Sequence, residues 1–244
     1  MILAGRRVLV TGGAVRVGRA LALACAEAGM DCAIHYRASA AQAEEAVAEC
    51  RGHGVRAVAI PGDLSRAEEC RAVVAAAQDA LGGVDVLVNS AANFVAADLP
   101  AVTEEDVDRV LAVNLKAPLF CAQAAAPAMV AQGWGRIVNI ADVAGLEPWP
   151  RFLVHGAAKA GLVHLTRGLA QELAPHVLVN AIALGTVLMP PGATPEATAR
   201  SAAKAVLGRV GAPADAAGAL RYLLEADYVT GHTLVVDGGR MVRA

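Results

Sequence analysis

The segment VLVTGGAVRVGRALA, residues 8–22, decides how this chain folds. It begins as an apolar run typical of a strand, turns at two adjacent glycines, and continues with the alanine- and leucine-rich pattern of a helix. A strand, a glycine turn and a helix in that order bind phosphate, because the helix amino end presents free N–H groups and a positive dipole. At Gly12 and Gly18 the backbone can approach a pyrophosphate closely. We therefore expect a dinucleotide site at the start of the chain.

The alternation of strand and helix continues to the end of the sequence. Such an order predicts a Rossmann-type α/β fold, in which a doubly wound sheet of about seven parallel strands carries helices on both faces. We see no linker or repeat, so residues 1–244 are expected to form a single domain. The predicted strands are Arg7–Thr11, Asp31–Tyr36, Val55–Pro61, Val84–Asn89, Arg136–Ile140, Val177–Ala183 and Thr233–Val236, and the predicted helices lie near 17–28, 39–51, 65–81, 103–132, 154–174, 195–207 and 213–225.

Composition excludes several classes of function. The 244 residues are 56% hydrophobic with a mean hydropathy of +0.48, so the chain can bury an extensive core. A formal net charge of -2 without a basic block argues against a nucleic-acid partner. Apolar runs are interrupted before they reach membrane-spanning length, so we expect a cytoplasmic protein with no membrane contact. The five scattered cysteines are typical of reduced thiols, and the histidines suggest no metal site.

The end of the second predicted strand, CAIHYRAS at 32–39, indicates which dinucleotide binds. A fold that selects NAD places a carboxylate here for the ribose diol, and a carboxylate would repel a 2′-phosphate. This chain instead offers His35, Tyr36, Arg37 and Ser39, and Arg16 in the glycine turn adds a second cation. NADP(H) is therefore the predicted cofactor. The alternative is that Arg37 is an ordinary solvated surface residue.

Several motifs occur in one order along the chain: TGGAVRVG, GDLS, LVNSAAN, VNLKAP, HGAAK and the closing YVTGHTLVVDGG. In this the sequence resembles the short-chain dehydrogenase/reductase family over essentially its full length. The resemblance implies an NADP(H)-dependent oxidoreductase with a small-molecule substrate. It also implies a homotetramer that assembles through the long helices near 103–132 and 154–174, whose alanine-rich faces permit close packing.

Within that family the details are most similar to the pteridine reductases. Those enzymes carry arginine in the glycine turn, here Arg16, and a second strand that ends in a pattern like His35–Ser39. They place Asn-x-Ala and then phenylalanine after the fourth strand, here Asn89, Ala91 and Phe94, and the phenylalanine stacks on the pterin. They also have aspartate where most relatives have the catalytic serine, here Asp142.

The resemblance assigns further roles to individual residues. Asn114 would support a proton-relay water, and Lys159 would hold the nicotinamide ribose and assist the catalytic acid. The other cofactor contacts that it implies are Val17 beside the turn glycines, Asp63 and Leu64 at the adenine, Asn89 and Ala91 near the ribose, and Gly185, Thr186 and Val187 at the nicotinamide amide.

The clearest departure from the family pattern is His155, which stands where the family has its catalytic tyrosine. Histidine can transfer protons near neutral pH, and a carboxylate such as Asp142 would stabilise its charged form. Imidazole is shorter than phenol, so His155 would need a bridging water unless its helix shifts inward. A second possibility gives the donor role to Asp142 or a water, and a third is that His155 has drifted in a site without activity. Ser90, Ala92 and Leu184 also depart from the pattern.

Aromatic residues are scarce, and four follow predicted strands at the ligand edge of the sheet: Tyr36, Phe94, Trp149 and Phe152. They could stack on a flat heterocycle, which makes Phe94 and Trp149 candidate substrate contacts together with Arg16, Asp142 and His155. For Trp149 and Phe152, packing of a loop or a subunit contact is an equal alternative. Three functions remain open: a pteridine-type reductase, a non-catalytic NADPH-binding partner protein, and a ketoreductase for another carbonyl substrate.

Overall fold

The computed structural model describes residues 3–242 and contains a sheet of seven strands, all parallel, in the order β3-β2-β1-β4-β5-β6-β7. The predicted doubly wound fold is confirmed. The strands are β1 (Arg7–Thr11), β2 (Asp31–Tyr36), β3 (Ala57–Pro61), β4 (Val86–Asn89), β5 (Gly135–Asp142), β6 (Val177–Leu184) and β7 (Thr233–Val236).

Helices cover both faces of this sheet. The helices are α1 (Arg16–Glu27), α2 (Ala40–Gly52), α3 (Ala67–Leu81), α4 (Glu104–Leu111), α5 (Ala117–Ala131), α6 (Leu153–Leu173), α7 (Pro195–Ala202) and α8 (Pro213–Glu225). On one face α1 packs against both α2 and α8, and on the other α3 packs against α5.

Alternate side chains of β1 lie in different apolar clusters on the two faces of the sheet. Val8 and Val10 are buried with α1, α2 and α8, whereas Leu9 is buried with α3 and α5. Successive side chains of a strand point to opposite faces, so a strand covered on both sides is apolar at consecutive positions. This explains why the middle of β1, residues 8–10, is apolar at every position.

The predicted helix at 103–132 is divided into three parts. Between α4 and α5 the chain forms a π-helical turn, Ala112–Lys116. Pro118 has no N–H for the carbonyl of Asn114, and its ring crowds that carbonyl, so the regular helical ladder cannot continue there. The predicted helix at 195–207 was too long, because the Leu207 N–H donates to the carbonyl of Gly238 instead of continuing α7.

One helical stretch, Glu104–Ala131, is long and apolar enough to cross a membrane by length and composition. In this fold α5 packs on α3, β4 and β5, and 56% of the most apolar window is buried inside the protein. The apolar character of the stretch is thus accounted for by core packing.

The strand order reverses between β1 and β4, where Thr11 lies beside Asn89. In an open parallel sheet the crevice beyond the carboxyl ends of the strands at such a reversal is the usual ligand site. The glycine turn follows β1 directly, so the fold places it at this crevice.

Candidate active site

The glycine turn lies very close to the neighbouring backbone. Gly12 has φ +64°, and a β-carbon there would lie 2.9 Å from the Cα of Ala91. A β-carbon on Gly18 would collide with the carbonyl oxygen of Gly12. No side chain of the described residues caps the amino end of α1, so its N–H groups face the crevice unpaired by the protein. The turn therefore fits a bound phosphate group.

Arg16 connects this turn to the segment that follows β6. Its backbone has φ +55°, and its exposed guanidinium donates to the carbonyls of Leu188 at 3.3 Å and Met189 at 3.4 Å. A cation thus lies between the predicted phosphate site and the segment that follows β6.

The residues at the end of β2 differ in their exposure to solvent. Arg37 is exposed and its charge lowers the pKa of Asp63, whose carboxylate accepts a bond from the Ser65 N–H at 3.1 Å. The backbone N–H of Ser65 is the largest cause of that decrease. Tyr36 and Ser39 are half-buried, and His35 is buried beneath the turn.

The first and fourth strands are tied together at their carboxyl ends. The hydroxyl of Thr11 accepts hydrogen bonds from the N–H groups of Ser90 at 3.0 Å and Ala91 at 3.1 Å. Asn89 is buried and its amide donates to Asn139 at 2.9 Å. The loop after β4, which carries Phe94, therefore starts from a rigid base.

His155 and Asp142 come together at the centre of the crevice. The His155 ring is 0% exposed, and its Nε2 lies 3.7 Å from Oδ2 of Asp142, slightly beyond hydrogen-bonding distance. Neither ring nitrogen has a hydrogen-bond partner within residues 3–242. Oδ1 of Asp142 accepts from the Ala144 N–H at 2.7 Å, which holds the carboxylate in place. Buried polar atoms without partners are rare, which makes this imidazole a candidate functional group.

The ring of Phe94 stacks on this imidazole. The two ring centroids are 4.2 Å apart with an interplanar angle of 25°. Phe94 is itself 60% exposed, so one face of its ring covers His155 and the other faces solvent.

Lys159 lies one helical turn beyond His155 on α6. Its ammonium donates to the carbonyl of Ile140 at 2.8 Å and the side chain is buried. Burial lowers the pKa of Lys159 to about 8, and the negative charge of Asp142 opposes this decrease. Lys159 therefore loses its proton at a lower pH than an ordinary lysine does.

Asn114 lies in the π-helical turn and is fully buried. Its amide NH₂ group lies near three acceptors: the carbonyl of Asn93 at 3.0 Å, Oδ1 of Asn93 at 2.6 Å, and the carbonyl of Val110 at 3.1 Å. Oδ1 of Asn114 has no partner in the described part of the chain. An acceptor oxygen held in this way suits a relay water.

Comparison with known proteins identifies the family. Residues 6–199 match the family model for short chain dehydrogenases. The 3-oxoacyl-(acyl-carrier-protein) reductase FabG of Staphylococcus aureus is 35% identical over 236 residues, which cover 95% of this chain and 96% of the relative. This chain is a short-chain dehydrogenase.

Other relatives of this short-chain dehydrogenase are named for different substrates. The 3beta-hydroxysteroid dehydrogenase 1 of Eggerthella lenta is 38% identical over 245 residues, covering 97% of this chain and 94% of the relative. A crystal structure of FolM alternative dihydrofolate reductase 1 from Brucella canis, complexed with NADP, has a TM-score of 0.93 and 33% identity, and covers 100% of this chain and 96% of that one. Membership places the protein among oxidoreductases, and the relatives' names span acyl, steroid and folate substrates.

In this short-chain dehydrogenase the segment after β6 borders the same crevice. A β-carbon on Gly185 would lie 2.8 Å from the Cα of Asp237, and the Thr186 carbonyl accepts from the Gly211 N–H at 2.9 Å. Val187 is buried. The segment is thus held by close backbone contacts with Gly211 and Asp237.

Trp149 has partners that the sequence did not reveal. Its indole N–H donates to Glu147 at 2.9 Å, the guanidinium of Arg240 lies 4.2 Å from the ring centroid, and Phe152 packs against its edge. Arg240 also binds Glu147 at 2.9 Å. These contacts favour the packing alternative for Trp149 and Phe152.

Two residues that hold the site were not assigned a role from the sequence. Asn93 binds Asn114, and its own amide donates to the carbonyl of Arg109 at 2.8 Å. Thr11 anchors the loop after β4. Both residues occur inside the family motifs quoted above, and that position is the sequence feature that could have indicated their structural role.

Proposed function

We propose that this short-chain dehydrogenase is an NADPH-dependent reductase, similar to pteridine reductases, that acts on a pterin or another small planar carbonyl or imine compound. The observation that carries the proposal is the buried His155 imidazole facing Asp142 beneath the ring of Phe94. Unpaired ring nitrogens beside a carboxylate and a lysine form an arrangement suited to proton transfer.

The cofactor residues fit NADP(H). The turn of Gly12 and Gly18 would hold the pyrophosphate, and Arg37 with Arg16 would hold the 2′-phosphate in place of the carboxylate that selects NAD. Lys159 would hold the nicotinamide ribose. When bound, the reduced cofactor supplies a hydride to carbon. The remaining contacts of this proposal are Val17, Tyr36, Ser39, Asp63, Leu64, Asn89, Ala91, Gly185, Thr186 and Val187.

The residues of this chain would deliver the proton that completes the reduction. A protonated His155 donates its Nε2 proton, directly or through one water, to the oxygen or nitrogen of the substrate double bond and becomes neutral imidazole. Asp142 stabilises the charged ring before the transfer, and Lys159 with the Asn114 relay water returns a proton afterwards. One hydride and one proton thus reduce one double bond.

Phe94 supports the choice of a planar substrate. The Phe94 ring is 60% exposed at the mouth of the site. Moved off His155, it would stack on a flat substrate within reach of the imidazole, and such stacking contributes about 0.5–1.5 kcal/mol beyond burial. Asp142 can accept a hydrogen bond from the ring N–H or amino groups of a pterin. The NADP-bound relative named as a dihydrofolate reductase is consistent with this class.

Oxidation of NADPH in the presence of dihydrobiopterin, dihydrofolate or simple diketones tests the proposal. We expect turnover with a pterin compound, and we expect His155→Phe to lower it by about 10²–10⁴-fold, since the variant keeps the ring but has no proton to donate. NADPH affinity should be unchanged in that variant. Turnover with diketones alone would identify a ketoreductase instead.

A second candidate is a catalytically impaired NADPH-binding protein that serves as a partner of another protein. It is favoured by one observation: the Phe94 ring covers His155, whose nitrogens contact no solvent. In that case NADPH binds but no carbonyl compound is reduced. His155→Tyr would then create activity on every carbonyl compound tested, rather than alter an existing activity.

We also propose a cytoplasmic homotetramer assembled through α4–α5 and α6. The exposed apolar residues Leu119, Val130 and Leu153 on these helices support a subunit contact. Sedimentation equilibrium should give four times the chain mass, and a monomer would contradict the proposal.

A further inference from the structure

We propose that His35 is a positioning residue whose neutral imidazole clamps the glycine turn to the end of β3, and that its protonation opens the turn and weakens NADP(H) binding in mild acid. The inference rests on the proposed binding of NADP(H) at this turn. It assigns His35 a role through the backbone rather than by contact with the cofactor, because only 3% of the residue is exposed.

His35 holds the turn by two bonds. Its Nδ1 accepts from the Gly12 N–H at 3.1 Å, and its backbone carbonyl accepts from the Gly13 N–H at 3.0 Å. Both donors belong to the turn that would receive the pyrophosphate. One residue of β2 therefore sets the position of two consecutive residues of the turn.

The other side of the ring contacts the opposite wall of the cofactor site. Nε2 lies 3.1 Å from the carbonyl of Gly62, immediately before the predicted adenine contacts Asp63 and Leu64. A carbonyl only accepts, so Nε2 carries a hydrogen, and Nδ1 is left without one to receive the Gly12 N–H. The partners therefore specify a neutral ring in a single tautomer.

Protonation is incompatible with this arrangement. The imidazolium would direct an Nδ1–H at the Gly12 N–H, so two donors would oppose each other and the turn would have to move. Burial lowers the pKa of His35, whereas its bond to Gly62 and the charge of Asp63 act in the opposite direction. The neutral ring therefore persists at neutral pH.

The charged groups around the ring come from the β3–α3 side. Asp63 follows Gly62 in the chain, and its charge acts on His35. A β-carbon built on Gly62 would lie 3.7 Å from Nε2 of His35 and 3.8 Å from Oε2 of Glu69, which lies on α3. The nearest charged residue along the chain is Arg37, which follows β2, and Asp31 lies at the other end of that strand. The adjoining segments 11–13 and 57–61 contain no titratable side chain. Burial outweighs the charge of Asp63 and keeps the pKa of His35 below its usual value, so the ring becomes protonated only on the acid side of neutrality.

Two substitutions test the two hydrogen bonds of the His35 ring, to Gly12 and to Gly62, separately. His35→Asn places an amide oxygen near the position of Nδ1, so it keeps an acceptor for Gly12 but cannot titrate. His35→Gln extends toward the position of Nε2, so it can keep the bond to Gly62 but leaves Gly12 without its acceptor. Calorimetric titration with NADP⁺ between about pH 5 and pH 8 measures each affinity. The 2′-phosphate itself titrates near pH 6, so the informative quantity is the difference between variants.

We expect the NADP⁺ affinity of the natural protein to fall from about pH 7 to pH 5 by roughly tenfold more than that of His35→Asn. His35→Gln should bind weakly throughout, near the acid value of the natural protein. Equal pH dependence in the natural protein and His35→Asn, or full affinity in His35→Gln, would overturn the inference.

Hydrogen exchange of the Gly12 amide in the natural protein gives a readout that needs neither a variant nor a cofactor. Its protection factor should decrease as the pH falls through the titration of His35, and constant protection would contradict the clamp. If NADP⁺ fails to bind at every pH while Gly12 protection still follows pH, the proposed function fails and the clamp remains.

Discussion

Lys159 illustrates how one buried charge sets both stability and chemistry. Its folded-state pKa of about 8 lies below the ordinary 10.5 because the ammonium is desolvated, with Asp142 opposing the shift. Between these values the unfolded chain binds more protons than the folded protein, so this group makes the free energy of unfolding rise with pH. Below about pH 8 the buried ammonium lowers the free energy of unfolding by its full desolvation cost.

Lys159→Met removes this dependence. Relative to the variant, the natural protein should gain about 2 kcal/mol in free energy of unfolding between about pH 7 and pH 9.5. Urea denaturation of both proteins at the two pH values gives the difference, in which the other titrating groups cancel. Parallel pH curves for the two proteins would mean that the lysine is not desolvated.

The amino-terminal half of α6 is positioned by close backbone packing, which fixes the height of His155 and Lys159 over the sheet. A β-carbon on Gly156 would lie 2.8 Å from the carbonyl oxygen of Ala144, in the short helical turn after β5. Gly168 on the same helix is exposed and has no atom within 4 Å of such a position in the described structure.

Alanine substitutions at these two glycines should have opposite effects. Gly156→Ala should lower the free energy of unfolding by about 1–3 kcal/mol, because the helix must shift away from the turn. Gly168→Ala should raise it by up to about 1 kcal/mol through helix propensity alone. Thermal unfolding of both variants compares them, and a stabilising Gly156→Ala would show that α6 is free to move.

A charged cluster lies at the edge of the sheet opposite the candidate site. At the amino ends of the strands, Asp85 accepts the N–H of Arg7 at 2.9 Å, its guanidinium at 2.8 Å and the amide of Gln132 at 3.0 Å. Desolvation acts to raise the pKa of this carboxyl, but the bonds from Arg7 outweigh it and hold the pKa below its usual range. Its contribution to stability is therefore present at neutral pH and is lost as the pH falls through the lowered pKa.

Asp85→Asn should lower the free energy of unfolding by about 3 kcal/mol, because it leaves the Arg7 guanidinium without its buried partner. Turnover per folded molecule should be unchanged, since the site lies at the other edge. Glu225→Gln, in an exposed pair with Arg221, is the control and should change stability by less than about 1 kcal/mol. Equal losses in the two variants would contradict a special role for the Asp85 cluster.

The local pattern of apolar residues in the sequence was sufficient to predict the fold class. Short apolar, β-rich runs that alternate with alanine-rich helical segments predicted every strand of the described sheet within a few residues. The exceptions were the π-helical turn before Pro118 and the early end of α7, where a missing N–H and a contact with Gly238 override the helical pattern. For the site, the motifs nominated residues, and His155 and Asp142 do lie together.

The alternation of strands and helices, the glycine turn and the absent acidic residue after β2 could be read along the chain, because each depends on neighbouring residues and on the stereochemistry of parallel sheets. Folding alone decided that Phe94 covers His155, that Trp149 joins Arg240, and that the His35 ring links Gly12 to Gly62. These contacts join distant segments, and their geometry is set by the rotamers and burial that close packing imposes.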